Sequence, residues 1–220
     1  EVSPETKASN QETCLNCHAE AHYTMYNQDS SMTRTKKMYD AVRIKPDAYY
    51  SSNHRTFRCT DCHSPEYETY PHNKQARFEM HYRCIDCHYE DPNLKEINFT
   101  EIDKEYKESV HHQRMEDDFA CWDCHDPHSY SLTARNNPNI NEIVAYDNEI
   151  CLECHTGDGQ YQMLTNRKQP EIMETHDWLP NQQAHFNKVR CIECHTEQSD
   201  SLLVGHNVRP KEEAVKRCEE

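Results

Sequence analysis

Twelve of the thirteen cysteines in this 220-residue chain fall into one pattern, Cys-x-x-Cys-His, repeated six times. The copies are Cys14-Cys17-His18, Cys59-Cys62-His63, Cys84-Cys87-His88, Cys121-Cys124-His125, Cys151-Cys154-His155 and Cys191-Cys194-His195. The first Cys and the His of a copy are four residues apart, so on a helical turn they share a face. Two thiols and one imidazole then converge on one volume. Three simpler readings fail. A zinc site does not require His directly after the second Cys in every copy. A disulfide framework does not keep one spacing so strictly. A redox dithiol needs a single copy.

The pattern is the attachment signature of c-type haem. The thiols add to the porphyrin vinyl groups as thioethers, and the His becomes the proximal ligand of the iron. Six copies lead to an expectation of six covalent haems. Composition makes the same demand from another side. Leu, Ile, Val and Phe number 30 of 220 residues. That is about 14%, below the roughly 20% under which a highly charged chain is expected to be disordered. The formal charge is −15 and the mean hydropathy −1.14. Such a chain needs large apolar groups other than its own side chains to build an interior. Porphyrins are such groups, and the 13 Tyr are expected to pack on their faces and edges. The expected fold is mainly α with much irregular loop: short helices wrapped around a file of covalently bound haems, with few or no strands.

The motifs begin at residues 14, 59, 84, 121, 151 and 191, and the gaps between them alternate long and short. Every second start is separated by 70 and then 67 residues. This reads as a single unit over 1–217 built of three two-haem repeats, about 14–83, 84–150 and 151–217. Arg58-Cys-Thr-Asp-Cys-His, Arg83-Cys-Ile-Asp-Cys-His and Arg190-Cys-Ile-Glu-Cys-His nearly coincide. A further 67 residues beyond Cys151 falls on Cys218, the thirteenth cysteine, in Arg217-Cys218-Glu219-Glu220. Residues 218–220 are therefore expected to open a seventh haem motif in a longer polypeptide. Helices are expected over 101–114 and, after Pro210, over 210–217. Pro46, Pro65, Pro71, Pro92, Pro127, Pro138, Pro170 and Pro180 mark loops, and no strand pair is expected.

Each iron has a second axial position, and ten His lie outside the motifs. The candidates for it are His54, His111 and His185, which precede the second motif of a repeat, and His128, alone in its gap. His206 and His81 follow. His22, His72, His112 and His176 complete the set behind them. With ten His present, the seven Met are read as packing against porphyrin rather than as ligands.

Through its six motifs, over residues 14–195, the chain resembles the multihaem cytochrome c proteins of bacterial respiration. These include small electron carriers and filament-forming extracellular cytochromes. Cys121-Trp-Asp-Cys-His-Asp-Pro-His and His176-Asp-Trp-Leu-Pro look like stretches of such proteins. The resemblance implies bis-His, low-spin, low-potential haems in van der Waals file. It also implies redox partner proteins, or other copies of the chain, as partners, and assembly outside the cytoplasm in a periplasmic or extracellular setting. A chain that begins at Glu1 reads as a processed form. No stretch approaches the roughly 20 apolar residues of a membrane span. The acidic balance argues against nucleic acid and permits docking to basic partner surfaces. The alternative is a multihaem redox enzyme of nitrite, tetrathionate or hydroxylamine type, in which one haem keeps an open distal position. Some nitrite reductases mark that haem with Lys in place of the motif His, and no Cys-x-x-Cys-Lys occurs here. The surplus of His favours electron transfer, and no catalytic residue is assigned.

Overall fold

A computed structural model describes residues 2–26, 32–76, 82–132, 137–156, 160–165, 167–197 and 204–216. The fold is mainly helical with irregular loops and one small two-stranded sheet. The backbone divides into two compact units, residues 1–82 with 126–132, and residues 83–125 with 133–220. No helix of the described residues is long and apolar enough to cross a membrane.

In the first unit, helix α1 (Pro4–Asn10) starts where Ser3 accepts a hydrogen bond from the Thr6 N–H and Pro4 takes the first helical position. The helix widens into a π-turn over Gln11–Leu15 and closes with one more α-turn, Asn16–His18, so the first motif is delivered on continuous helical backbone. An antiparallel hairpin follows, β1 (His22–Tyr26) paired with β2 (Thr33–Lys37), with His22 opposite Lys37 and Tyr26 opposite Thr33. This corrects the expectation of no strand pair. The β2 sequence Thr-Arg-Thr-Lys-Lys is exposed at every position, so it carries no apolar alternation to signal a strand. Helix α2 (Pro46–Ser51) then begins on Pro46. That proline opens a helix rather than a loop, because its fixed φ suits the first helical position and its missing N–H is not needed there. Pro65 likewise opens a short 3-10 turn, Pro65–Glu68.

The second unit opens on the third motif, which is itself a helix, α3 (Cys84–His88). The helix expected over 101–114 is two helices, α4 (Phe99–Glu108) and α5 (Val110–Met115). The break is Ser109, whose extended backbone lets its hydroxyl accept from the His112 N–H and cap the second helix. The long helix α6 (Ile140–His155) carries the fifth motif in its last turns. Short helices follow: α7 (Gln160–Leu164), α8 (Ile172–Thr175), α9 (Gln182–Phe186) and α10 (Ile192–His195). Residues 211–213 form a turn rather than the start of a helix. There the Val215 N–H bonds to the Cys194 carbonyl, a long-range contact that propensity does not foresee.

Among the described residues the buried side chains are as often polar as apolar. Leu15, Met38, Tyr49, Ala76, Phe119 and Val144 are buried, and so are Asn10, Ser52, Glu105, Ser109, Asn148 and Thr196. Two of the polar ones, Asn10 and Asn148, are clamps on backbone that carries the motifs. In the first unit the Asn10 amide donates to the Phe57 carbonyl at 3.1 Å, and its oxygen accepts from the Cys59 N–H at 3.0 Å. In the second unit Asn148 donates to the Phe186 and Val189 carbonyls at 2.9 and 3.0 Å and accepts from the Cys191 N–H at 2.7 Å. Each Asn lies on the helix leading into one motif and grips the first cysteine of the next. A second device also recurs. Tyr49-x-x-Ser52-x-His54 and Tyr106-x-x-Ser109-x-His111 share one spacing. The Tyr49 hydroxyl donates to the Phe57 carbonyl, and that of Tyr106 to the Phe119 carbonyl, in each case two residues before a motif.

Replacing Asn148 with Ala strips partners from three half-buried backbone groups. At about 1 kcal/mol for each hydrogen bond, the expected loss is about 3 kcal/mol. The thermal midpoint followed by circular dichroism should fall by about 5–10 °C, and an unchanged midpoint would remove the clamp from the explanation of the fold.

Candidate haem sites

Each motif is built as a single turn. The His63 N–H bonds to the Cys59 carbonyl at 2.9 Å, His125 to Cys121 at 2.9 Å and His195 to Cys191 at 3.1 Å. This brings the imidazole over the first cysteine. The acidic residue before the second cysteine fixes the start of the turn by reaching back to the backbone. Asp61 accepts from the Arg58 N–H at 2.8 Å, Asp86 from Arg83 at 2.7 Å and Asp123 from Ala120 at 2.6 Å. In the sixth motif Glu193 pairs with the Arg190 guanidinium at 2.7 Å, and Asp147 holds the same group at 3.2 Å.

Among the described residues, five motif imidazoles face a second imidazole from outside the motifs. In the first unit the His18 and His72 ring centroids lie 6.1 Å apart, and those of His63 and His128 lie 6.0 Å apart. In the second unit His125 faces His206 at 6.4 Å, His155 faces His111 at 6.2 Å and His195 faces His176 at 6.0 Å. These spacings test whether an iron fits between the rings. A ring nitrogen sits about 1.1 Å from its centroid and bonds a metal at about 2.0 Å. Two imidazoles sharing one iron on a common axis therefore have centroids about 6 Å apart. All five spacings agree.

The hydrogen bonds that hold these rings fit too. A metal-bound imidazole usually donates its other N–H to a carbonyl or carboxylate, which fixes ring and tautomer. Nδ1 of His72 donates to the Thr69 carbonyl at 3.1 Å, that of His176 to Ile172 at 2.9 Å and that of His206 to Val204 at 2.9 Å. His128 donates to Asp126 at 3.0 Å, and this bond is the main reason the Asp126 carboxyl falls to about 2. Nε2 is left for a metal in each. Burial, and then the facing His155, pushes His111 down to about 4, and burial with the facing His206 does the same to His125. Burial also lowers His155, His195 and His206. Such rings are neutral at pH 7, the form that binds a metal.

The first cysteines of neighbouring motifs lie near one another. The Cys14 thiol lies close enough to that of Cys59 for each to shift the other, and the same holds for Cys84 with Cys121 and Cys151 with Cys191. The interaction pulls down one thiol of each pair, Cys14, Cys121 and Cys191, and pushes up the other, Cys59, Cys84 and Cys151. Burial, and then the nearby Cys154, pushes the Cys124 thiol up to about 12.

The remaining candidates are placed differently. His54 donates from Nδ1 to the Pro127 carbonyl at 3.3 Å, and its ring packs against Phe57. The motif imidazole His88 stacks on Phe99 at 4.6 Å, with Asp91 3.7 Å from its Nδ1. His112 lies against Tyr106 with its Nδ1 buried and unbonded. His22 is exposed at the head of β1, and His185 is half-buried in α9. Among the described residues His22, His112 and His185 face no motif imidazole. His81 and residues 218–220, expected to open a further motif, lie outside the described residues.

A family model for the doubled CXXCH motif matches residues 111–160, a stretch that takes in the fourth and fifth motifs together with His111 and His128. No curated protein and no solved structure matches the chain. The doubled motif supports a multihaem protein of the c-type cytochrome kind, with covalently bound c-type haem as its cofactor.

Replacing His206 or His128 with Ala should open one axial position each. The ferrous form of either variant is expected to bind one more carbon monoxide per chain than the parent, and added imidazole should reverse the gain. Uptake equal to the parent's in both variants would overturn the pairing.

Proposed function

We propose that the chain is an electron carrier that holds six c-type haems, mostly with two axial His, and relays electrons along them in respiration or extracellular electron transfer. The observation that carries this reading is the set of five imidazole pairs at 6.0–6.4 Å. A haem, when bound, supplies one iron that gains or loses one electron. The chain's own residues do the rest. Two cysteines per motif anchor the ring edge. At the five paired sites the two imidazoles would hold the iron from both sides and leave no exchangeable position there for a substrate. Hydrogen bonds from Nδ1 to Thr69, Asp126, Ile172 and Val204 hold the rings in place. Fixed ligands keep reorganisation small when charge changes, and that suits a relay.

The three cysteine pairs support a grouping of the sites by twos, as the motif spacing suggests. Attachment of c-type haem implies assembly outside the cytoplasm, so a periplasmic or extracellular location and redox partner proteins belong to the same proposal. The competing reading is an enzyme with one open-site haem.

Film voltammetry separates the two. A carrier gives reversible waves that integrate to six electrons and do not change when nitrite, tetrathionate or hydroxylamine is added. A sustained catalytic current with any of the three would replace the carrier reading with the enzyme reading, and fewer than six electrons would refute the occupancy of every motif.

A further inference from the structure

The cations of this acidic chain are unevenly placed. Residues 32–45 hold Arg34, Lys36, Lys37, Arg43 and Lys45 against one carboxylate, Asp40, although the whole chain has 39 acidic residues and 24 Lys and Arg. Asp40 is shared between Lys37 at 3.8 Å and Arg43 at 3.5 Å. Among the described residues Arg34, Lys36 and Lys45 form no ion pair. All five β2 residues are exposed. Beside them Tyr39 is 82% exposed, Met32 50% and Val42 46%. Cations on an edge strand also discourage strand pairing. That explains Lys36 and Lys37, but not Arg43, Lys45 or the exposed Tyr39, which lie outside the strand. A basic rim around exposed aromatic and aliphatic side chains is the composition of a protein interface.

This face is tied to the first haem site. The His18 Nδ1 donates to the Val42 carbonyl at 2.9 Å, the Ile44 N–H to the His18 carbonyl at 2.8 Å and the Met38 N–H to the Ala21 carbonyl at 2.9 Å. The backbone that bears Tyr39, Val42 and Arg43 is therefore also the backbone that orients the first motif imidazole.

We infer that residues 32–45 form the docking surface for an acidic redox partner protein, which exchanges electrons with the first haem site. The inference rests on the electron-carrier reading and adds the port. One electron and no proton crosses the contact: the donor loses it, and one ferric iron becomes ferrous. The attraction is local. Taken as whole bodies, the chain, at −15, and an acidic partner repel. Long-range repulsion and local attraction respond oppositely to salt.

The test is binding of the oxidised holoprotein to an oxidised flavodoxin, used as an acidic one-electron probe, by calorimetry at about 20 and about 200 mM salt. The expected result is binding that weakens about tenfold as salt rises. It should be lost in the variant R34E/K36E/K37E and reduced in K36Q/K37Q, with an unchanged haem spectrum in both. E149K, on α6, should bind like the parent. No binding by the parent, binding that strengthens with salt, or equal binding by the charge-reversed variant would overturn the inference. So would a dimer of the parent alone that R34E/K36E/K37E abolishes, because the face would then belong to a second copy. Each of these failures leaves the voltammetric waves intact and the carrier reading standing. Loss of the waves would strike that reading instead.

Discussion

Two imidazoles about 6 Å apart, one fixed by a Cys-x-x-Cys-His turn and one delivered from elsewhere in the chain, are the arrangement on which the rest of the molecule depends. The motif His comes with its cysteines and needs only a helical turn. Its counterpart does not. His128 must meet His63, His206 must meet His125 and His111 must meet His155. Each meeting closes a long loop, at an entropic cost that a chain so poor in Leu, Ile, Val and Phe does not offset by packing. Iron bound between the paired imidazoles would close those loops, and ligand binding and folding would then be one process.

Polar clamps prepare the ground. Asn10 and Asn148 each join the backbone before one motif to the first cysteine of the next, and Tyr49 and Tyr106 each hold a carbonyl just ahead of a motif. Buried polar groups that are fully hydrogen-bonded give a specific geometry without a large apolar core. The same holds for the aspartates inside the motifs, which start the turn by accepting a backbone N–H. They are part of the attachment site as much as the cysteines are.

The motif pattern stood out in the sequence because covalent attachment demands fixed residue types at fixed spacing, and the doubled-motif match falls on its fourth and fifth copies. The mainly helical, loop-rich fold was legible from composition and from the absence of strand patterning. The hairpin was not, because an exposed strand of Thr, Arg and Lys has no apolar face. Nor was the break at Ser109, where a side-chain cap overrides a continuous run of helix formers. Among the axial candidates, spacing favoured His54, His111, His185 and His128. The structure sets His111 and His128 opposite motif imidazoles, and also His72 and His176, which spacing ranked behind them. The difference lies in a hydrogen bond. His72 and His176 are turned by bonds from Nδ1 to the carbonyls of Thr69 and Ile172, a few residues upstream. Any residue can supply a carbonyl, so no residue type records it. One signal was present and small: Tyr-x-x-Ser-x-His occurs at 49–54 and again at 106–111.

Electron paramagnetic resonance of the oxidised protein, joined to near-infrared magnetic circular dichroism, tests the central arrangement most directly, because it reads the axial ligands of iron without altering the chain. Imidazole pairs on the irons require low-spin ferric signals with the charge-transfer band of bis-His coordination, in an amount that accounts for at least the five pairs of the structure. High-spin ferric iron at two or more haems, or the band of His/Met coordination, would contradict it.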